Sequence, residues 1–269
     1  MGQGNSLLAE FQNADHAGKM RLVSDAVTGK RSASQDDVRA LLTAAIKDPD
    51  ASVRVNAVDS VVSILALSSM PQAPPGQEWA VKLRPVADSL GPALEEAARD
   101  PEPRVRVKAL TAIAAPIAYA NPGRPLPKEL VNRLADVFDS DASAQVRAFA
   151  LQSMAWSYRS EDPDIRKRTT AVLLKALADP DQYVVQSAGL AAAQAKIPEA
   201  LPLLVKQLSN PSHIARMGVA QGIAGFGSAA LRYLPELERA LAAETDDITR
   251  KTIAGTISVI KRIPDSVLR

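Results

Sequence analysis

Residues 48–58 read Asp-Pro-Asp-Ala-Ser-Val-Arg-Val-Asn-Ala-Val, and this phrase decides the fold because the chain repeats it. Close copies, each with Asp at the first position and Val at the sixth, follow at residues 100–110, 141–151 and 179–189. Two weaker copies occur around residues 210–214 and 246–248. If the first apolar residue marks each copy, the six marks fall at positions 53, 105, 146, 184, 214 and 248. Spacings of 30 to 52 residues predict an array of structural repeats with loop insertions.

Each copy has the composition of a junction between two helices. Asp-Pro ends the preceding helix, because the residue before a proline is pushed out of the α region. The acidic and hydroxyl residues that follow can cap the next helix and stabilise its N-terminus. We expect the prolines to lie in the first turn of that helix, namely Pro49, Pro101, Pro180 and Pro211. Apolar residues then recur with helical periodicity, as in Val53, Ala57, Val58, Val61 and Leu65.

A partner helix is predicted before each junction, at residues 34–47, 79–98, 127–138, 164–178, 198–208 and 228–243. Residues 5–29 predict one or two further helices. Two Pro- and Gly-containing loops, at 68–78 and 121–127, account for the two longest spacings. No segment alternates apolar and polar residues over a strand's length, so we predict no strands.

The Asp-Pro-Asp-x-x-Val-Arg-x-x-Ala pattern, recurring in pairs of helices, resembles the HEAT-repeat family, with PBS-lyase-like HEAT repeats as the nearest variant. The resemblance implies an all-α, right-handed α-solenoid of about six helix pairs, HEAT-like or armadillo-type, with the second helices lining a concave face. It divides the chain into an N-terminal capping segment at 1–33, a single-domain repeat array at 34–262 and a C-terminal tail at 263–269.

The family resemblance also implies a structural role for the Asp and Arg of the phrase, which form a ladder between adjacent repeats. Arg54, Arg106 and Arg147 are therefore expected to be structural residues. Copy four has Val185 at the arginine position, so the ladder should weaken between the third and fifth repeats.

Composition argues against several function classes. The chain has 32 basic and 30 acidic residues, so it lacks the basic excess typical of a nucleic-acid-binding domain. The absence of cysteine and the presence of only two histidines argue against thiolate and histidine-rich metal sites. No Gly-x-Ser-x-Gly, phosphate-binding loop or dinucleotide fingerprint occurs, and we expect no cofactor. No membrane span is predicted, and the first residues do not resemble a secretory signal. We expect a soluble protein, either cytoplasmic or an exported domain whose signal is missing.

The predicted concave face supplies the candidate binding residues. Taking positions opposite the core at 100° per residue gives a lining that is mostly small or uncharged: Asn56, Lys108, Thr111, Tyr119, Phe149, Gln152, Ser153, Trp156, Gln194, Met217 and Gln221. Phe149 and Trp156 are seven residues apart on one helical stripe, and aromatic side chains in a shallow groove are typical anchors for a partner. The alternatives are that the helical register is off by one residue or that a loop covers the two side chains.

These observations favour a monomeric, non-enzymatic scaffold that binds a protein or peptide in its groove. Two alternatives come from the resemblance. One is a bilin-lyase-type enzyme that handles a small ligand, with which the Phe149 and Trp156 patch is compatible. The other is a DNA glycosylase-like protein, which needs a Lys- and Arg-lined face and an acidic catalytic residue. Because the lining is mildly polar and not basic, we expect no nucleic-acid partner.

Overall fold

The computed structural model describes residues 7–70, 74–120, 125–154, 157–158 and 160–262, with side chains described except at 118–120. Every regular element in these ranges is helical, and they contain fifteen α-helices and no strand. The chain forms two compact units, Met1–Gly123 and Arg124–Arg269, called here the N-terminal unit and the C-terminal unit. The division into a capping segment, a single-domain array and a tail stays a prediction.

The N-terminal unit contains seven helices: α1 (Leu7–Asn13), α2 (His16–Val27), α3 (Gln35–Ile46), α4 (Ala51–Ser68), α5 (Glu78–Ser89), α6 (Gly91–Ala97) and α7 (Pro103–Ala120). The C-terminal unit contains eight α-helices and a 3-10 helix: α8 (Lys128–Ser140), α9 (Ala144–Ser153), α10 (Pro163–Ala176), α11 (Gln182–Ala195), α12 (Ala200–Gln207), α13 (His213–Ala224), the 3-10 helix (Gly227–Tyr233), α14 (Leu234–Ala243) and α15 (Asp247–Lys261).

The helices pack in pairs, and within each unit the second helix of one pair packs against the second helix of the next. In the N-terminal unit α2, α4 and α7 form such a row, and in the C-terminal unit α9, α11, α13 and α15 form another. The pairs are α3/α4, α5–α6/α7, α8/α9, α10/α11, α12/α13 and α14/α15, with α1/α2 before them. This arrangement confirms the all-α fold of about six helix pairs. It arises because a single pair cannot bury its apolar face without a neighbour.

Two predicted partner helices are not continuous. The helix predicted at 79–98 ends at Leu90 and restarts as α6, because Pro92 lies at the start of α6 and cannot continue the hydrogen bonding of α5. The helix predicted at 228–243 begins as the 3-10 helix at Gly227, whose φ is +59°, and becomes α-helical only at Leu234, with Pro235 in the first turn.

The phrase that opens each second helix folds into a turn closed by its first residue. The first side chain accepts the backbone N–H two positions later in all six copies, at 2.8–2.9 Å, from Asp48 to Glu244. Each helix then starts three residues after that first residue, so Pro49, Pro101, Pro180 and Pro211 lie before the helix and outside its first turn. The prediction for these prolines was wrong, because the closed turn comes between them and the helix.

An arginine in the first turn of the helix completes the junction. Arg54 donates through Nη1 to the carbonyls of Asp48 and Pro49, and its Nε and Nη2 bind both carboxylate oxygens of Asp100 in the next repeat, at 2.7 and 2.8 Å. The pairs Arg147–Asp179 and Arg216–Glu244 repeat this bidentate geometry. All three pairs are largely buried. The arginines therefore have the structural role that the resemblance implied.

The ladder is interrupted where the sequence predicted a weakness. Val185 replaces the arginine, and the first residue of the next copy is the neutral Asn210, so no unpaired charge remains at this step. The ladder resumes with Arg216, which pairs with Glu244. In the first copy the arginine directly follows the buried residue Val53, so the equivalent buried residue of the fifth copy is Ala215 and not Ile214. The sixth copy is shifted by one residue in the same way. Ala215 and Thr249 are the buried residues of these copies, whereas Ile248 is 66% exposed.

Glycines bring two second helices into backbone contact at the same step. A Cβ atom added to Gly189 would lie 2.5 Å from the carbonyl oxygen of Gly218, and one added to Gly222 would lie 2.4 Å from that of Gly189. Distances this short exclude any side chain at these positions. Close packing of α11 on α13 thus replaces the missing ion pair.

By length and composition, one helix in the described part of the chain, α4, is apolar enough to cross a membrane. It packs against α2, α3, α5 and α7, and it carries Arg54 and Asp59, both held in ion pairs. These are the features of a core helix.

We predict that Gly222→Ala destabilises the protein by about 1–3 kcal/mol, because the new methyl group overlaps a backbone carbonyl that cannot move away alone. Gly255→Ala is the matched control, since Gly255 is exposed in α15 with no atom near its missing Cβ. This control should stabilise the protein by about 0.5–1 kcal/mol. Urea unfolding followed by circular dichroism measures both, and equal effects would contradict the close-contact argument.

We predict that Glu244→Gln lowers the free energy of unfolding at neutral pH by about 3 kcal/mol, because Arg216 loses its buried partner. The Arg216 guanidinium lowers the pKa of Glu244 from 4.5 to about 2 in the folded protein. Because the pKa of Glu244 is lower in the folded than in the unfolded protein, its carboxylate stabilises the fold at pH values above the unfolded-state pKa of 4.5. This stabilisation disappears as the pH falls and Glu244 is protonated in the folded protein. The difference between wild type and variant should therefore be constant above about pH 5 and shrink toward pH 2.

Urea titrations at several pH values measure this difference. Glu238→Gln is the control, because Glu238 forms a half-exposed pair with Lys261 and should contribute little. A wild-type to Glu244→Gln difference that does not change with pH would show that the carboxylate charge is not what stabilises the junction.

Candidate functional site

The second helices of the C-terminal unit expose a common set of positions. Each copy can be counted from its buried residue, which is Val146, Val184, Ala215 or Thr249. The residue before it, the second residue after it and the sixth residue after it are partly or fully exposed in all four helices. We call these positions the second-helix face: Gln145, Ala148, Gln152, Tyr183, Gln186, Leu190, Ile214, Met217, Gln221, Ile248, Lys251 and Gly255.

The second-helix face is unusually poor in charge. Lys251 is the single charged residue among its twelve, although 23% of the chain is charged and surfaces are usually richer still. Four of the twelve are glutamines, and five are large and apolar or aromatic: Tyr183, Leu190, Ile214, Met217 and Ile248. Depletion of charge and enrichment of aromatic and Met side chains characterise the centre of protein interfaces.

Exposed apolar side chains concentrate on this row of helices. Among the described residues, seven large hydrophobic side chains are exposed. Four of them are Tyr183, Leu190, Ile248 and Val259, which is four residues beyond Gly255 in α15. Single exposed hydrophobic residues need no explanation, but a cluster at equivalent positions of neighbouring helices does.

The structure places part of the predicted lining on exposed positions. Gln152, Met217 and Gln221 belong to the second-helix face, and Gln194 is exposed near the end of α11. Thr111 has the equivalent sixth position in α7 of the N-terminal unit, where it is half-buried. Their role in binding stays a prediction.

Four other predicted lining residues occupy positions near the contact between two neighbouring second helices, which we call a seam. Asn56, Lys108 and Phe149 hold the third position after the buried residue, Ser153 holds the seventh, and all are half-buried. Lys108 forms an ion pair with Asp59 of the preceding second helix. In the C-terminal unit the Gln152 amide donates to the hydroxyl of Ser187 in the next second helix, at 3.0 Å. Both contacts join the sixth position of one second helix to the third position of the next. These positions therefore contribute to stacking.

The aromatic patch predicted from sequence is only partly visible. The Tyr119 side chain and all of Trp156 lie outside the described residues. Sequence reasoning missed three exposed residues, namely the aromatic Tyr183 and the aliphatic Leu190 and Ile248. A signal for Leu190 was present in the sequence, since Leu190 has the same repeat position as Thr111 and Gln152. Ile248 was missed because its copy was read one residue out of register.

Both histidines have the same structural position. Each is the first residue of a second helix and faces the Asp that caps the next one: His16 Nδ1 lies 2.8 Å from Asp50, and His213 Nδ1 lies 3.6 Å from Asp246. Backbone hydrogen bonds, with help from the histidines, lower the pKa of Asp50 and Asp246. This arrangement is a link between repeats, as Gln182 and Ser212 form in the same place. No group of His, Asp and Glu suited to a metal ion occurs in the part of the chain that the structure describes.

Comparison with known proteins agrees with this geometry. The family model described as HEAT repeats matches residues 170–258, which lie within the C-terminal unit. This chain carries HEAT repeats. The match includes α11, α13 and most of α15, so the HEAT repeats provide three of the four helices of the second-helix face. A comparison with curated proteins returned no match.

Solved structures share the HEAT-type fold at low identity. YibA of Escherichia coli has a TM-score of 0.56 at 19% identity, over 97% of this chain and 82% of its own. An engineered protein has a TM-score of 0.50 at 19% identity, over 82% of this chain and 97% of its own. A designed armadillo repeat protein has a TM-score of 0.47 at 20% identity, over 81% of this chain and 98% of its own. At these identities the first two likenesses establish the α-solenoid fold alone.

We predict that Tyr183→Ala changes the free energy of unfolding by less than about 0.5 kcal/mol, because this side chain is 54% exposed. Phe149→Ala should cost about 1–2 kcal/mol, since the ring is half-buried at a seam position. Thermal and urea unfolding of both variants distinguish a surface residue from a packing residue. A large loss from Tyr183→Ala would remove it from the exposed face.

Proposed function

We propose that this protein is a non-enzymatic scaffold whose second-helix face binds an extended segment of a partner protein. The observation that carries the proposal is the character of this face: twelve exposed or half-exposed positions, one charge and five large apolar or aromatic side chains. The proposal is made for the C-terminal unit, where the face lies on the four neighbouring second helices α9, α11, α13 and α15.

The glutamines of the face give the proposal its chemistry. A side-chain amide both donates and accepts hydrogen bonds, as the backbone of an extended peptide does. Gln145, Gln152, Gln186 and Gln221 are spread over three neighbouring helices, between the apolar side chains. Such a surface can bind a peptide backbone through amides and its side chains through apolar contacts.

Helix spacing sets the expected period of the partner. Packed helices lie roughly 8–10 Å apart, and an extended chain advances about 3.3 Å per residue. About three residues of the peptide therefore correspond to one second helix. We expect a segment with an apolar side chain at about every third position and few charges, because the face has a single cation to match an acid.

Nucleic acid fits this surface poorly. A protein that binds a phosphate backbone presents several lysines or arginines along the contact, and the second-helix face presents Lys251 alone. No contact in the described residues specifically favours the bilin-lyase-type alternative.

Site-specific photo-crosslinking tests the proposal. A photoreactive phenylalanine analogue at Tyr183 should crosslink to a partner segment in extracts of the source cells. The same analogue at Leu203, an exposed apolar residue on the first helix α12 of the same unit, is the control. The crosslinked segment is then synthesised and titrated against the wild type, Leu190→Asp and Leu203→Asp.

We expect Leu190→Asp to weaken binding of that peptide by at least about tenfold, because a charge replaces an apolar anchor, while Leu203→Asp leaves it unchanged. Equal crosslinking from positions 183 and 203, or equal loss in the two aspartate variants, would refute binding on the second-helix face.

A further inference from the structure

The second-helix face is crossed by an apolar row near the start of its helices. The residue before the buried one is Tyr183 in α11, Ile214 in α13 and Ile248 in α15, and we call these three residues the apolar row. Tyr183 and Ile248 are 54% and 66% exposed, and Ile214 is half-exposed. In α9 the same position holds the polar Gln145. A partner segment that follows the apolar row has to match the distances between three helices.

The step from α11 to α13 is short, because no side chain separates the two backbones. A Cβ atom added to Gly218 would lie 2.6 Å from the Cα of Gln186, and one added to Gly225 would lie 2.5 Å from the Cβ of Ala193. The close contact thus extends over about two turns of α13. Packed helices usually lie roughly 8–10 Å apart, depending on the side chains at the contact, so glycine contacts shorten this step.

The neighbouring steps have side chains between their backbones. From α13 to α15, the Thr256 hydroxyl lies between the helices and donates to the carbonyl of Ala220 at 3.0 Å. From α9 to α11, two side chains meet, those of Gln152 and Ser187. These steps therefore have the ordinary spacing of packed helices, and the spacing along the second-helix face is uneven.

An extended chain converts unequal steps into a sequence pattern. It advances about 3.3 Å per residue, so two residues span about 6.6 Å and three span about 10 Å. Two residues match the short step, and side chains two positions apart point to the same side of an extended strand. Three residues match a step of ordinary spacing, and in the polyproline II conformation side chains three positions apart point the same way.

Charge complementarity restricts the partner further. None of the three side chains of the apolar row is charged, and Lys251 is the single charged residue of the whole second-helix face. A strongly acidic or basic segment would have to lose the hydration of charges that this face cannot pair, which is costly. A segment with uncharged side chains carries no such cost.

We propose that the apolar row selects an uncharged, extended segment of a partner protein with the pattern apolar-x-apolar-x-x-apolar, read from α11 to α15. The first two apolar side chains bind at Tyr183 and Ile214, across the short step, and the third binds at Ile248. This inference rests on the proposed function, because it specifies the segment that the second-helix face would bind.

Fluorescence anisotropy with four labelled peptides tests the spacing on the full chain. Each peptide has three leucines in a background of serine and glycine. The leucines are separated by two then three positions, by three then two, by two and two, or by three and three. The two mixed orders represent the two chain directions. We expect one mixed peptide to bind at least about fivefold more tightly than either uniform peptide, because only mixed spacing reaches all three side chains.

Double-mutant cycles assign the leucines to the helices. Tyr183→Ala and Ile248→Ser should both fold, because both side chains are exposed. In the best peptide, serine at the outer end of the two-residue spacing should weaken binding to the wild type about fivefold and leave binding to Tyr183→Ala unchanged. Serine at the outer end of the three-residue spacing should act in the same way on the wild type and on Ile248→Ser. Leu203→Ser, at an exposed position of α12, is the control and should bind every peptide as the wild type does.

Three results would overturn the proposal. Equal binding of mixed and uniform peptides, or tighter binding of a uniform one, would remove the spacing rule and leave peptide binding by the second-helix face in place. No saturable binding of any of the four peptides would also remove it, and crosslinking from position 183 then decides separately whether the face binds a partner. A dimer in sedimentation that Ile248→Asp dissociates would assign the apolar row to a second copy of this chain.

Discussion

The structure depends on an arginine that joins three segments of chain. Arg54, Arg147 and Arg216 each bind the carbonyls of their own turn and the carboxylate that opens the next repeat. A guanidinium can do this because its five N–H donors lie in one plane, in a fork that matches two carbonyls on one side and a carboxylate on the other. The same side chain thus closes the turn between two helices and sets the spacing between two repeats.

Where the arginine is absent, its partner and the packing change with it. A carboxylate opposite Val185 would be a buried charge without a partner, which is far more costly than having neither group. The chain has Asn210 there instead, and the glycines of α11 and α13 allow the backbones to meet. Close packing of α11 on α13 therefore joins the two repeats at the position where no Arg–carboxylate pair does so.

The C-terminal unit exposes side chains that folding does not require. The second-helix face exposes Tyr183, Leu190 and Ile248, although burying them elsewhere would favour folding. Departures from local folding rules with no compensating contact are expected at binding sites. The second-helix face is accordingly where we place function.

The repeated phrase determined much about this protein by itself. It predicted an all-α array of about six pairs and most helix positions, because local capping, proline stereochemistry and helical periodicity are properties of short segments. The resemblance to HEAT repeats added the Arg ladder and its weak step at Val185. Composition alone also argued against thiolate and histidine-rich metal sites.

Tertiary structure decided the remainder. The register of the last two copies became clear only from burial, since Ile214 and Ala215 are both compatible with a helical period and packing selects Ala215. The same one-residue difference separates an exposed position from a seam, so Phe149 and Lys108 could not be assigned from sequence. The buried, unpartnered hydroxyl of Tyr158 and the left-handed backbone of Lys196 likewise exist only once the helices are packed, because pairing and strain are properties of the folded chain and not of any residue in it.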